Sequence, residues 1–275
     1  MTHFLSFTWD PSSGIDLGFF LVRYYSLMFV IAFVLGWFIM KKIFKFEGEH
    51  ESKLDSLFIY MVVATLLGAR LGHVLFYQTE LLWQDPLAVF LPFETQPEFR
   101  FTGFQGLASH GAAISIIIAM FIYSKKVLKK PVLWILDRII IAVTCGGIFI
   151  RLGNFINSEI IGKPTGTDYG VIFKQLGEDF ARHPTQLYEA GGYLLVFLIV
   201  WYIYWKTEKR HYLGYIFGVF LVLLWLVRFI VEFWKEAQVG ERGDWILNTG
   251  QWLSIPFILF GIYLIFSSKN KKYSV

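Results

Sequence analysis

The chain has 275 residues, of which 56% are hydrophobic, 19% aromatic and 17% charged, with a formal net charge of +4. Charged residues make up about a quarter of an ordinary water-soluble domain, so this composition excludes one. The positive charge does not signal a nucleic-acid partner: no basic patch with interleaved aromatics occurs, and the cations fall in short runs between apolar segments.

Those apolar segments are about 20 residues long, enough to cross a bilayer core. They predict seven transmembrane helices at about 20–40, 54–77, 106–123, 132–151, 187–205, 213–233 and 247–266. A spanning segment must satisfy its own backbone hydrogen bonds, so the expected fold class is an all-α polytopic membrane protein. No linker, composition shift or repeat divides the chain, and residues 1–275 read as a single integral membrane domain. The first 19 residues carry no Lys or Arg, so helix 1 is expected to be an uncleaved anchor.

Orientation follows from the short connections. Lys41, Lys42, Lys45, Lys53, Lys125, Lys126, Lys129, Lys130, Lys206, Lys209, Arg210, Lys269, Lys271 and Lys272 cluster in one set of them. The opposite set holds Arg23, Arg100, Arg151, Lys163, Lys174, Arg182, Lys235 and Arg242 in longer segments. The positive-inside rule makes the first set cytoplasmic, with the N-terminus outside and the C-terminus inside. The outward segments at about 78–105 and 152–186 contain Pro86, Pro92, Pro97, Pro164 and Pro184, and are expected to be ordered loops or short interfacial helices. The lone Cys145 is expected to be a small buried hydrophobe.

The polar residues share a depth. Arg70, Arg151 and Arg228 lie 16, 19 and 15 residues after the predicted starts of their helices. At ~1.5 Å per residue, that is roughly 22–29 Å into a ~30 Å core. His110 and Glu189 open helices that run the other way, and Tyr25 opens helix 1 beside Arg23. A transporter more often holds its polar groups at the midplane, whereas this stratum suits a reaction on an outer-leaflet headgroup. Duller readings stand beside each residue. Arg70 could pair structurally, Arg151 could cap its helix, and Arg228 and Glu232 could neutralise each other across one turn. His110 could be a hydrogen-bonded core histidine and Tyr25 an interfacial aromatic. The densest constellation is Arg151-Leu-Gly-Asn154-Phe-Ile-Asn157-Ser-Glu159. There is no Gly-x-Ser-x-Gly elbow, no metal-ligand cluster and no cofactor site, so the nucleophile is expected to come from a substrate. A polytopic phospholipid or anion transporter is the alternative class, and an intramembrane protease a more distant third.

Seven blocks in order carry a resemblance to a known family. They are Arg23-Tyr-Tyr25-Ser-Leu-Met28, Gly68-Ala-Arg70-Leu-Gly72, Gly106-Leu-Ala-Ser-His110-Gly111, Arg151 to Glu159 followed by Gly162, His183-Pro-Thr-Gln-Leu-Tyr-Glu189, Arg228-Phe-Ile-Val-Glu232 and Gly250-Gln-Trp-Leu-Ser-Ile-Pro256. Over nearly the whole chain they resemble the bacterial prolipoprotein diacylglyceryl transferases. Four positions depart from the family's usual pattern: Ile150 and Ala112 stand for glycines, Leu224 for a tyrosine and Lys235 for an arginine. The Leu224 change removes a hydroxyl, and the Lys235 change keeps charge but loses bidentate geometry.

The resemblance implies a multi-pass protein of the bacterial inner membrane. Its activity would be transfer of the sn-1,2-diacylglyceryl group of phosphatidylglycerol to the lipobox cysteine of a preprolipoprotein signal peptide. A thioether forms, glycerol-1-phosphate leaves, and no cofactor takes part. In that reading Arg151 is the main phosphate clamp and Arg228 the second clamp or leaving-group stabiliser. Asn154, Asn157 and Glu159 hold the headgroup, with Gly162 beside them. Arg70, Glu189 and Glu232 support them, Tyr25 is a hydrogen-bond partner to the headgroup or signal peptide, and His110 is the candidate base for the thiol.

Overall fold

The computed structural model describes residues 5–18, 21–91, 93–95, 99–101, 106, 108–236 and 247–273, so Arg242, Pro92 and Pro97 lie outside the described residues. In chain order the elements are β1 (Leu5–Trp9), β2 (Gly14–Asp16), β3 (Leu21–Arg23), α1 (Tyr24–Phe46), α2 (Glu51–Tyr77), α3 (Leu81–Gln84), α4 (Pro86–Phe90), β4 (Phe93–Glu94), β5 (Arg100–Phe101), α5 (Ser109–Tyr123), α6 (Val132–Ile156), β6 (Tyr169–Phe173), α7 (Thr185–Lys206), α8 (Tyr215–Val231) and α9 (Thr249–Ser268). A π-helical turn, Ser124–Leu128, prolongs α5. Among the described residues six helices are long and apolar enough to cross a membrane: α1, α2, α5 with its extension, α6, α7 and α9. The apolar α8 occupies the remaining predicted span but has 17 residues.

Two compact units divide the chain, one comprising Met1–Met40 and Leu136–Val275 and the other Lys41–Ile135. In the first, α8 packs on α9 and on α7. The α8–α9 contact is close because Gly218 and Gly261 face each other, where an added Cβ would come within 2.8 Å and 2.7 Å of the opposite carbonyl. Small residues that let backbones approach are a usual means of joining helices in lipid. On α7 the buried residues Glu189, Tyr193, Val196, Val200 and Tyr204 recur at helical spacing along one stripe. The other face is also apolar yet open, with Leu195 62% and Tyr202 61% exposed. An outward apolar face of this kind suits contact with lipid.

The segments outside the long helices hold more strand than the sequence pattern suggests. β1 pairs in parallel with β6, placing Leu5 opposite Tyr169 and Trp9 opposite Phe173. Beneath this pair Phe155, Val171 and Phe173 form a small core with Trp9, Ile161 and Leu187, and the Trp9 indole donates to the carbonyl of Phe155 at 3.0 Å. Both strands are five residues long with little alternation to betray them. β2 and β3 form a separate antiparallel pair leading into α1.

In the second unit α2 packs on α5 through Gly68 and Gly72 against Gly111 and Ser115. Residues 78–105 contain the expected short helices, α3 and α4, the latter opened by Pro86 and capped by Asp85, whose carboxylate accepts the N–H of Ala88.

Candidate active site

The site grows from the end of α6. This helix runs one turn past the predicted boundary to Ile156, so Arg151 and Asn154 share a helical face and Asn154 is not in a loop. Arg151 Nε lies 2.8 Å from Oε2 of Glu189, a carboxylate on α7 that is fully buried. Arg151 also donates through Nη1 to Oδ1 of Asn154 at 3.2 Å. The Asn154 amide in turn donates to Glu159 Oε2 at 3.2 Å, and the Asn157 amide to Glu159 Oε1 at 3.1 Å. Tyr25, at the start of α1, hydrogen-bonds Asn154, and its ring packs where a Cβ on Gly153 would stand at 2.9 Å.

Glu159 is held by a strained turn. Ser158 and Ile160, on either side of it, have φ of 54° and 56°. The left-handed region is unfavourable for a β-branched residue, at a cost of order 1–3 kcal/mol. The surroundings fix the turn: Glu159 N–H reaches back to the carbonyl of Asn154, Gln186 donates to the carbonyl of Glu159 at 2.6 Å, and Thr185 to that of Ile160 at 3.0 Å. Ser158 therefore stands where a helix more often ends on glycine.

A second cationic strand of the network comes from α8 and the turn after it. Lys235, itself buried, places Nζ 3.5 Å from Glu189 Oε1 and 3.6 Å from Glu232 Oε2. Glu189 thus stands between Arg151 and Lys235. Arg228 lies close to Tyr193 and within the fields of Glu189 and Glu232, while Arg151 lies 5.8 Å over the Tyr193 ring. Both guanidiniums therefore flank one phenol. Arg228 Nε is buried and has no acceptor among the described residues. Three cations, Arg151, Arg228 and Lys235, thus stand among three carboxylates, the enclosed Glu189 and Glu232 and the exposed Glu159.

With this geometry in view, the match to known proteins is informative. A family model described as prolipoprotein diacylglyceryl transferase matches residues 13–267. The chain belongs to the prolipoprotein diacylglyceryl transferase family. Among the family's similar members is one from Porphyromonas gingivalis, 41% identical over 95% of this chain and 94% of its own. Another, from Tolumonas auensis, is 37% identical over 94% of this chain and 95% of its own, and one from Bacteroides fragilis is 37% identical over 98% and 97%. All three are named phosphatidylglycerol–prolipoprotein diacylglyceryl transferase.

Of the residues singled out in this diacylglyceryl transferase family chain, the structure brings together Tyr25, Arg151, Asn154, Asn157, Glu159, Glu189, Arg228 and Glu232. Gly162 contributes by close packing: its N–H bonds the carbonyl of His183, its carbonyl accepts from Arg182, and a Cβ there would meet the His183 carbonyl at 2.3 Å. Arg228 and Glu232 do not simply neutralise each other, because the Glu232 carboxylate lies against Lys235. Tyr193 is a partner that sequence reasoning missed, while Lys235 stood there only as a departure from the family pattern and Gln186 only within a block. Tyr193 follows Glu189 by four residues on the buried stripe, which is the signal that marks it.

Two further candidates belong to the other unit. Arg70 donates from Nη2 to the carbonyl of Ala88 at 2.8 Å and from Nε to that of Val89 at 3.3 Å, tying down the end of α4. His110 is exposed at the start of α5, with its ring edge-on to Phe76 at 4.9 Å and to Tyr77 at 5.9 Å.

Beside the first cluster, Arg182 is clamped by both oxygens of Glu178 and by Glu236, and the Glu178 carboxylate foremost holds its guanidinium above the usual value. Burial holds the His183 imidazole below its ordinary value and so favours the neutral ring. Among the described residues no group of His, Cys, Asp and Glu is placed to hold a metal ion.

Proposed function

We propose that this chain transfers the sn-1,2-diacylglyceryl group of phosphatidylglycerol to the lipobox cysteine of a preprolipoprotein, the first step of bacterial lipoprotein maturation. The carrying observation is the Arg151–Glu189–Lys235 array with Arg228 alongside, set among membrane-crossing helices in a chain of this family. In the reaction the cysteine sulfur attacks the glyceryl carbon that bears the phosphate ester. A carbon–sulfur bond forms, the carbon–oxygen bond breaks, and its electron pair leaves on the phosphate as glycerol-1-phosphate. Negative charge grows on that phosphate, and guanidinium groups already in place stabilise it without reorganisation.

Arg151 is the main clamp. Glu189 and Asn154 hold its Nε and one Nη, so that the guanidinium plane is fixed. Arg228 is the second clamp, with an Nε that has no acceptor among the described residues. Glu159, oriented by Asn154 and Asn157, accepts from the headgroup glycerol, and Tyr25 completes that side. Glu189, Glu232 and Lys235 set the charge balance. Arg70 supports the fold of its own segment, and His110 takes the thiol proton, since a free thiol with pKa around 8.5 needs activation. Replacing His110 by Asn should flatten the pH–rate profile, and an unchanged profile removes it as the base.

We further propose seven spans within one integral membrane domain, with α8 as the sixth. Its 17 residues rise about 26 Å, close to the ~30 Å core. The N-terminus would then lie outside, the C-terminus in the cytoplasm, and the array near the outer leaflet of the cytoplasmic membrane, as the distribution of Lys and Arg supports. A carrier of the same lipid is less favoured, because the family's members are named as transferases. The test is incubation of membranes with labelled phosphatidylglycerol and a lipobox peptide. Transfer of label to the peptide with release of glycerol-1-phosphate supports the proposal. Lipid movement without bond breaking, or a cleaved peptide without added lipid, overturns it.

A further inference from the structure

Arg151 and Arg228 stand on different helices, so their meeting at one level requires α6 and α8 to be held in axial register. The cytoplasm-side ends of these helices contain a device that does this. Gly214 is the N-cap of α8, with φ of +84°, and has no side chain with which to cap the helix. The acceptor comes from α6 instead: Asp137 Oδ2 accepts the N–H of Gly214 at 2.7 Å, and Oδ1 that of Phe217 at 2.8 Å. Asp137 is fully buried, as is its neighbour Arg138, which donates to the carbonyl of Arg210 at 3.4 Å and lies over the Tyr204 ring. A local Ser or Asn would cap the helix without burying a charge. A carboxylate reaching from another helix fixes something that a local cap cannot.

Counting along the helices shows what it fixes. Fourteen residues separate Asp137 from Arg151, and fourteen separate Gly214 from Arg228. At about 1.5 Å per residue, each arginine stands roughly 21 Å along its helix from the same pin. The far end agrees independently: Arg151 and Arg228 both lie beside the same two residues of α7, Glu189 and Tyr193. A slip of α8 by a single turn would displace Arg228 by about 5.4 Å, beyond hydrogen-bond reach of its partners. We infer that Asp137 is a positioning residue for the transfer reaction, setting the depth of Arg228 to that of Arg151 by capping α8 from α6. This rests on the transferase reading of the arginine cluster.

A cross-link reports the register directly. A Cβ built on Gly192 of α7 would lie 3.3 Å from Cβ of Val227, the residue before Arg228, close to the span of a disulfide. In a Cys145→Ser parent, Gly192→Cys with Val227→Cys should therefore cross-link readily under mild oxidation in membranes. Adding Asp137→Ala should slow that cross-link about tenfold, as expected for losing a helix cap. In the parent without the cysteine pair, Asp137→Ala should lower kcat about 100-fold, because a misplaced group costs rate. Asp137→Asn, which keeps an acceptor, should recover part of both, and it carries the test if the Ala variant does not accumulate. Unchanged cross-linking in both variants overturns the inference even if transfer falls, and so does normal transfer with a weakened cross-link. If the parent moves no diacylglyceryl group while Asp137 variants still lose the cross-link, the transferase reading fails and the register assignment stands.

Discussion

Arg151 and Arg70 sit in the same local phrase, Arg-Leu-Gly, near the end of a long membrane helix, yet the structure uses them differently. Each glycine two residues on lets a neighbour come close: Gly72 packs against Gly111 and Gly153 against Tyr25. The guanidiniums then diverge. Arg70 donates to the carbonyls that close α4, a short helix whose last acceptors have no intrahelical donors. Arg151 meets a buried carboxylate and an amide that belong to a wider charged network. Carbonyl acceptors are fixed and neutral, so Arg70 closes a fold. Arg151 joins a charged network near a donor, the Arg228 Nε, that has no acceptor among the described residues.

The sharpest way to break this contrast is to truncate both arginines. Arg151→Ala should cut diacylglyceryl transfer at least about 100-fold, the scale of losing one preorganised donor to developing charge, with membrane insertion intact. Arg151→Lys should recover little, because an ammonium cannot reproduce the planar fork that meets Glu189 and Asn154 together. Near-normal turnover of labelled phosphatidylglycerol in either variant would remove Arg151 from the chemistry. Glu189→Gln comes next. It leaves Arg151 and Lys235 without their shared carboxylate, and breaking a buried pair costs about 3–5 kcal/mol. Both thermal stability and transfer should fall, and Lys235→Met in the same chain should return part of the stability by removing one orphaned charge. If the double variant is no more stable than Glu189→Gln alone, Lys235 does not share that carboxylate.

How much of this was legible beforehand depends on the kind of signal. The helices were, because a spanning segment announces itself in hydropathy, and the arginines were, because a cation in such a segment is conspicuous. The ends were less so: α6 was expected to stop at 151, but it runs to Ile156 and Phe155 enters the core under β1 and β6. Strands as short as Leu5–Trp9 draw their stability from a partner 164 residues away and leave no period to detect. The Glu189–Lys235 contact was hidden for a related reason, since charge complementarity between distant segments leaves no trace in spacing. Asp137, within a span and with its amide partners 77 and 80 residues on, carried no motif at all.

Arg70→Ala should act more gently than either change at the first cluster. It leaves the carbonyls of Ala88 and Val89 without these donors, at about 1–3 kcal/mol for a group left unsatisfied. Proteolysis within residues 78–95 should quicken and the melting temperature fall, while the activity of the intact fraction drops far less than in Arg151→Ala. A loss of transfer equal to that of Arg151→Ala, with no change in proteolysis, would place Arg70 in the chemistry after all and erase the contrast.

The smallest effect is expected at an ion cluster that has only a structural use. Glu49, in the turn between α1 and α2, bonds Lys53 at 2.7 Å and also pairs with Lys130. Burial pushes its carboxyl up, but the bonds from Lys130 and Lys53 prevail and hold it below the ordinary value of 4.5. A carboxylate depressed in the folded state stabilises the fold above its unfolded value and ceases to do so as pH falls through the folded one. The melting temperature should therefore be insensitive to Glu49 ionisation near neutrality and decline below pH 4.5, and Glu49→Gln should lower it at pH 7 while flattening that acid decline. Turnover per folded molecule should be unchanged at pH 7. This separates a cluster remote from the proposed chemistry from the Arg151 array, where the same substitution logic at Glu189 is expected to reach transfer itself. An acid decline of the same steepness in Glu49→Gln would assign it to other carboxylates.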